Sequence, residues 1–503
     1  MNYNMSTLKE NIIANYSGKI WVAILNIAFV PLYIKYMGIE AYGLIGIFAT
    51  IQPLMTILDM GLSPTINREL ARCSALPERA QYMRNLVRTL EFVYWGVALL
   101  VCILVLTLSS WFAMHWFKAS TLEVSVINQS VLLMGLAVVF QWPVGFYSGG
   151  LMGLQKQVLF NVFNTIMWTI RAFGALLVVM LASIPVIAFF WWQLLMSVTN
   201  VFGIAILLWR FLPFSKEPAQ FKKSILQSVL RFAFGMGAVS VVILIFNQSD
   251  KILLSRQISL SMFGYYSIVW QVVGGLMMLY YPIYAAFSPA ITQLHAQGDF
   301  ENLKKTYHKG CQFMSVAVFP VSAVLAIFSN DILLIWTNNP VIAYNCKLLL
   351  SIIIVGASFS GLFYMPYSLH VAHGKTKHLL CVFILSLVAY IPLLYWAIKV
   401  WGVLGAAITY LVASIIMILT ATHSTHRLYL PNENGEWYFN DIGRPLFASV
   451  MVVIIAKYVI QWQITGISGL LTILGVYGAT AVAAVAITPC TRSAAARVFS
   501  FVS

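Results

Sequence analysis

The apolar residues of this chain fall into blocks of roughly 20, each long enough to cross hydrocarbon as a helix, separated by short connections that carry most of the charge. Reading for such blocks predicts spans at 12–36, 42–62, 89–112, 126–150, 160–182, 185–209, 232–257, 262–288, 310–330, 341–368, 378–398, 402–423, 444–463 and 466–488. A membrane β-barrel needs segments of about ten residues that alternate apolar and polar. Runs such as Leu99 to Leu106 and Val452 to Ala456 do not alternate, so the expected fold is an all-α integral membrane protein of about fourteen helices.

Composition agrees with that pattern. The chain has 503 residues, 61% apolar and 9% charged, where a soluble domain has about 45–50% and about 25%. A mean hydropathy of +0.86 means that lipid and other helices are the solvent for most side chains. The six cysteines show no CxxC and no metal-ligand spacing, so neither a disulfide nor a metal site is expected. The N-terminus lacks the basic segment and cleavage site of a signal peptide, and the first block is expected to stay as a helix.

The net charge of +15 would suggest nucleic acid in a soluble protein, but here it reads as orientation. With the N-terminus inside, 21 of the 30 Lys and Arg fall in cytoplasmic connections, and only Lys35, Lys118, Lys251, Arg256, Lys347, Lys399 and Lys457 lie at outer ones. Lys19 and Arg171 remain deep in helices. Both termini are therefore expected in the cytoplasm, with the basic face against anionic lipid and no nucleic-acid partner.

Sliding the chain against itself gives a faint repeat. Lys35 aligns with Arg256, Tyr42-Gly43 with Phe263-Gly264, Gly153 with Gly374 and Lys156 with Lys377, all 221 residues apart. An even number of helices per copy makes the copies parallel, related by an axis normal to the membrane. The expected organisation is an N-lobe over 1–215 with helices 1–6, a C-lobe over 216–430 with helices 7–12, and helices 13–14 with a cytoplasmic C-terminus over 431–503. The segment from Gln293 to His308 has the spacing of a short amphipathic surface helix, or else is a solvated linker.

The stretches Tyr36-Met-Gly-Ile-Glu-Ala-Tyr-Gly-Leu44, Asp59-Met-Gly-Leu-Ser63, Gly149-Gly-Leu-Met-Gly-Leu-Gln-Lys156, Asp250-Lys-Ile-Leu-Leu254, Phe287-Ser-Pro-Ala-Ile-Thr-Gln-Leu294 and Gly374-Lys-Thr-Lys377 resemble the polysaccharide and O-antigen flippases of the multidrug, oligosaccharidyl-lipid and polysaccharide (MOP) exporter superfamily. The resemblance covers about residues 10–425. It implies a MATE-like pair of six-helix lobes around a central cavity, alternating access, and a polyprenyl (undecaprenyl) diphosphate-linked oligosaccharide as cargo. It further implies a bacterial inner-membrane location, with membrane lipids, a polysaccharide polymerase and a chain-length regulator as partners.

An ionisable group near the bilayer centre costs about 2.5–3.5 kcal/mol on insertion scales, so each one demands a reason. Lys19, about 10 Å along helix 1, is either a cavity cation for the lipid diphosphate or a snorkelling lysine. Arg171, flanked by Trp168 and Phe173, is placed in the cavity, where its planar fork suits phosphate or sugar-acid oxygens; the alternative is a buried pair with backbone or carboxylate. The repeat requires helix 7 to run to Arg256, which puts Asp250 and Lys251 about two turns inside its outer end as a structural cluster or a substrate or gating site. Glu91, Asp59 and Asp250 are the carboxylates available for gating or ion coupling, and Glu91 also has Arg88 as a local partner. Six prolines, Pro143, Pro282, Pro289, Pro320, Pro366 and Pro392, are expected to kink or interrupt helices.

Two other functions are weighed. A cation-coupled multidrug exporter of the same superfamily expects an acidic cavity, against which Lys19 and Arg171 speak. A membrane glycosyltransferase or polymerase expects catalytic groups in a sizeable outer loop, yet the longest outer connection, 113–125, offers only His115, Lys118 and Glu123. No Walker motif is present, so any energy is expected from an ion gradient or from removal of product by downstream enzymes; the expectation is a transporter, with no catalytic residues and no cofactor.

Overall fold

A computed structural model describes the backbone of residues 5–59, 61–74, 76–374, 376–460 and 466–493, and the side chains of the same residues except 5–17, 19, 77, 230–240 and 376–379. Among these, twelve helices are long and apolar enough to cross a membrane. The first, Ile20–Asp59, is broken at Gly38, whose φ of 83° is the left-handed region that only glycine adopts cheaply. Counting its two halves separately and adding the helix Lys223–Gln257 reaches the fourteen crossings read from the sequence. The outward faces of these helices are apolar and bare, as at Leu99, Leu100 and Leu104, which suits lipid and not water.

The chain forms two compact units, Met1–Gly264 and Tyr265–Ser503. The first holds α1 (Met5–Leu54), α2 (Thr56–Asp59), α3 (Leu62–Ser74), α4 (Ala80–His115), α5 (Val124–Gln141), α6 (Val144–Gly153), α7 (Gln157–Leu181), α8 (Pro185–Phe211) and α9 (Lys223–Gln257), and α10 (Leu260–Met277) begins at its end. The second holds α11 (Tyr280–Gln297), α12 (Phe300–Ile327), α13 (Ser329–Thr337), α14 (Pro340–Leu362), α15 (Tyr364–Ala372), α16 (Thr376–Trp401), α17 (Val403–Tyr429), α18 (Asn434–Glu436), α19 (Arg444–Val459) and α20 (Gly466–Ile487). The packing boundary lies after α9 because α9 rests on α1, α3 and α4. A boundary between sequence copies, expected at 215, need not coincide with a boundary of packing.

Helix α9 continues past Asn247 through Asp250 to Gln257, as the repeat required. The segment 293–308 is not a separate surface helix. Gly298, left-handed at φ 72°, ends α11, and Asp299 then caps α12 by accepting the Asn302 N–H at 3.1 Å.

Among the described residues four spans are interrupted partway. Helices α1 and α2 part at Met55, α5 and α6 at Trp142-Pro143, α10 and α11 at Met278-Leu279, and α14 and α15 at Phe363. Trp142 and Phe363 are 221 residues apart, so the second and fourth of these pairs, α5/α6 and α14/α15, break at the same place in the repeat. Three of the six prolines explain themselves here: Pro143 stands in a break, and Pro282 and Pro366 each sit third in the helix that follows one, where the N–H has no intrahelical partner. Pro289, Pro320 and Pro392 lie inside unbroken helices.

At the end of the first unit that the charges assign to the outside, the repeat becomes a physical contact. A Cβ on Gly43 would lie 2.3 Å from the Leu260 carbonyl oxygen, and one on Gly264 would lie 2.4 Å from that of Ile39. Ile39 and Leu260, like Gly43 and Gly264, are 221 apart, so the crossing is reciprocal, as a two-fold relation demands. The α4–α5 connection clasps it. Buried Glu40 accepts the backbone N–H groups of Ser120 at 2.5 Å, Thr121 at 2.7 Å and Leu122 at 3.1 Å, as well as the Thr121 hydroxyl. Lys118 accepts the Leu260 N–H at 3.0 Å on its carbonyl and donates from Nζ to the Gln257 carbonyl at 2.9 Å.

In the second unit, α19 and α20 pack on α12, and polar contacts fasten the segments that flank them. Gln312 donates to Asp441 at 2.9 Å and accepts the Cys490 N–H at 2.9 Å. His308 lies 2.5 Å from Asp441 and 3.2 Å from Glu433, which also pairs with Lys304 at 2.7 Å. Burial pushes the Glu433 carboxyl up, but Lys304 and His308 together outweigh it and hold the group below the usual carboxylate range.

Replacing Gly264 with leucine drives a side chain into the Ile39 backbone and should cost about 1–3 kcal/mol, an overpacking penalty. Glu40→Ala leaves three backbone donors without their acceptor and should cost at least as much. Thermal unfolding of the purified protein in detergent checks both; melting temperatures equal to the parent's would contradict the clasp.

Candidate functional site

The predicted site residues divide into three settings. Lys19 belongs to α1, and its side chain lies outside the described residues. Arg171 stands in the middle of α7 and is buried, 6% exposed, at the seam with α8. Its Nη2 lies 3.4 Å from the Ser197 hydroxyl, and its guanidinium sits 5.4 Å from the centre of the Trp168 ring. The seam is close because Gly174 leaves room for the Trp192 ring, whose N–H donates to the Arg171 carbonyl at 3.0 Å. Among the described residues no carboxylate comes within ion-pair distance of Arg171.

On α9, Asp250 is buried at 2% exposure, and Lys251 donates from Nζ to the Asn247 carbonyl at 3.0 Å. Neighbours in a helix point about 100° apart, so these two charges need not share a face.

Asp59 and Glu91, by contrast, each anchor a hydrogen-bonded cluster, the two clusters meeting α4 on adjacent turns. Asp59 precedes α3 and accepts the Ser63 N–H at 3.2 Å, the Ser63 hydroxyl at 2.6 Å, and the hydroxyl of Tyr94 on α4. One turn back along α4, Glu91 is 7% exposed and accepts from Tyr147 of α6 at 3.0 Å and from Trp209 of α8 at 2.6 Å, and it pairs with Arg88 at 2.9 Å. Trp95 donates to the Tyr147 hydroxyl at 3.2 Å, and Phe146 stacks on Tyr94 at 4.7 Å. Arg84 and Arg88 lie 5.4 Å and 4.7 Å from the Trp209 ring centre.

The two carboxylates differ in kind. Glu91 is neutralised by an arginine, whereas Asp59 is held by neutral donors alone among the described residues. The Trp142 indole N–H, at the α5–α6 interruption, is buried and has no acceptor among the described residues, although its ring lies only 4.8 Å from Tyr94. A buried donor left open this way costs about 1–3 kcal/mol unless water or a ligand meets it.

Sequence reasoning missed Glu40, Tyr94, Tyr147 and Trp209. The i,i+3 spacing of Glu91 and Tyr94 was a usable signal for one of them; the others come from distant helices.

Comparison with known proteins agrees with this architecture. The family described as "Polysaccharide biosynthesis protein" matches residues 8–295, and the family described as "MatE" matches 236–396. A putative O-antigen transporter of Shigella flexneri is 28% identical over 174 residues, a match taking in 34% of this chain and only 40% of that relative. Among solved structures, the lipid II flippase MurJ in an inward closed conformation aligns with a TM-score of 0.70 and 16% identity, over 95% of this chain and 98% of that one. An inward-facing multidrug resistance MATE family transporter of the MOP superfamily aligns with 0.67 and 15%, over 82% and 96%. Likeness at such identities is likeness of fold. Since the first match takes in more than half of the 503 residues, this multi-pass membrane protein belongs to the polysaccharide biosynthesis protein family.

Proposed function

We propose that the protein is a flippase that carries a polyprenyl-diphosphate-linked oligosaccharide, an O-antigen or related repeat unit, from the cytoplasmic to the outer leaflet by alternating access. Charged phosphates and sugars cannot cross hydrocarbon unaided, while the prenyl tail can stay in lipid. The observation that carries the reading is the matched pair of interruptions at Trp142-Pro143 and Phe363. Irregular backbone at membrane depth is tolerated only where it is buried in protein or lines a wet path, and broken helices are the usual builders of transport sites. Arg171, a mid-span cation with no carboxylate of its own among the described residues, supports an anionic cargo. The residues that we assign to the cargo headgroup are Lys19, Arg171 and Lys251, with Asp250 as a gating group beside Lys251.

The same reading places the protein in a bacterial inner membrane with both termini in the cytoplasm, handing its cargo to a polymerase and a chain-length regulator. The 21 cytoplasmic Lys and Arg support the orientation. A cation-coupled multidrug exporter is the second reading, favoured by the match of 236–396 to MatE. It requires a carboxylate free to take a cation; Glu91 is already occupied by Arg88, which leaves Asp59 for that role, while the buried cation Arg171 weighs against a cationic cargo.

Deleting the protein should make lipid-linked oligosaccharide accumulate on the cytoplasmic leaflet. Arg171→Glu and Lys19→Glu should reproduce that with protein levels intact, whereas Arg171→Lys keeps part of the export. Normal export in both reversals would remove the cation assignment, and extrusion of cationic dyes with unchanged lipid distribution would favour the second reading.

Asp59, held by neutral donors, is the carboxylate that we assign to proton coupling. Asp59→Asn should therefore abolish any response of transport to an imposed pH gradient. Glu91→Gln should instead lower the melting temperature and leave that response in place; the reverse pattern would exchange their roles.

A further inference from the structure

Five tyrosines gather at the two interruptions of the second half of the chain. Tyr280, Tyr281 and Tyr284 lie in the first turns of α11, and Tyr364 and Tyr367 in those of α15, at i,i+3 and i,i+4 spacings that put them on shared helix faces. Tyr280 is the buried anchor. Its hydroxyl donates to the Ala357 carbonyl at 2.7 Å, and its ring fills the space that Gly361 leaves, where a Cβ would come within 2.5 Å of it. The others build outward from it. Ring centres lie 5.9 Å apart for Tyr280 and Tyr364, 5.6 Å for Tyr284 and Tyr364, 6.0 Å for Tyr284 and Tyr367, and 6.4 Å for Tyr281 and Tyr284. Tyr281 is 55% exposed and Tyr364 38%.

Such a cluster is not an interfacial belt. Belt tyrosines are spread singly around the rim of a bundle, whereas these stack on one another. Tyr284 is nine residues from Gln293, and Tyr364 and Tyr367 are nine and six from His373 at the end of α15, a depth of about 9–14 Å from the polar ends of their spans. At that depth the hydroxyls of Tyr284, Tyr364 and Tyr367 have no hydrogen-bond partner among the described residues. Each would cost about 1–3 kcal/mol against lipid, so they call for water or a hydroxyl-rich ligand.

The chemistry selects among ligands. Neither α11 nor α15 contains a Lys or Arg, so the cluster is unsuited to a diphosphate. Rigid rings with polar tips suit a sugar, which offers C–H faces for stacking and hydroxyl edges for hydrogen bonds. We propose that Tyr281, Tyr284, Tyr364 and Tyr367 form the platform on which the saccharide part of the cargo stacks, with Tyr280 as its positioning residue. This rests on the flippase reading and adds to it a separate subsite for the sugar, apart from the cations assigned to the diphosphate.

The test uses full-length protein in lipid nanodiscs and two probes, undecaprenyl diphosphate and the same lipid carrying one N-acetylhexosamine. The parent protein should bind the glycosylated probe about tenfold more tightly, the equivalent of one or two net hydrogen bonds. The triple variant Tyr284→Phe, Tyr364→Phe, Tyr367→Phe keeps the rings and should lose that preference while binding the bare lipid as before. Tyr284→Leu, which removes a ring, should do the same. A preference retained in the triple variant, or none in the parent, overturns the platform and leaves the flippase reading standing. Equal loss of both probes marks the tyrosines as structural and also overturns it. If the parent binds neither probe, the flippase reading falls, and the platform with it.

Discussion

Hydrocarbon offers a backbone no hydrogen bonds, and that constraint orders the rest of this structure. Every span must satisfy its own N–H and C=O groups, so a helix may stop in mid-crossing only where protein, water or cargo replaces what the ladder loses. Among the described residues the chain stops four times, and two of the stops, at Trp142-Pro143 and Phe363, are equivalent in the repeat. Proline just after a stop makes it cheap, since Pro282 and Pro366 lack an N–H that would have no intrahelical acceptor. Near the stops stand some of the polar groups that have no partner among the described residues, the Trp142 indole in the first unit and the hydroxyls of Tyr284, Tyr364 and Tyr367 in the second; others, such as Asn128 Oδ1, Ser315 Oγ and Thr422 Oγ1, lie away from them.

Several polar side chains away from the stops gather full sets of partners. Glu40 gathers three backbone donors and a hydroxyl into the clasp over the Gly43–Gly264 crossing. Gln312 uses both ends of its amide to hold Asp441, just before α19, and Cys490, just after α20. Glu91 is met by a tyrosine, a tryptophan and an arginine.

Much of the architecture was legible because lipid solvent makes the signal coarse. The spans followed from block length, the reach of α9 to Gln257 followed from the repeat, and the match of Tyr42-Gly43 to Phe263-Gly264 turned out to mark residues that touch. The interruptions were less legible, because Trp142, Met278, Leu279 and Phe363 are themselves apolar and the hydropathy runs on through the breaks; only Pro143 flagged one directly. Residues 293–308 were misread as a surface helix or linker because the turn depends on two adjacent residues, Gly298 in the left-handed region and Asp299 as a cap. Of the site, single ionisable residues could be picked out by their cost, but not their company. Nothing in local sequence joins Asp59 to Tyr94 or Glu91 to Tyr147 and Trp209, since those contacts come from helices folded together over long separations.

The central claim is that the interruptions are wet. In a background with the six native cysteines replaced, single cysteines at Trp142, Phe363 and Tyr284, with one at lipid-facing Leu104 as reference, can be challenged with a membrane-impermeant thiol reagent added from either side. The account predicts labelling at the three interruption positions and none at Leu104. Protection of all three from both sides would contradict it.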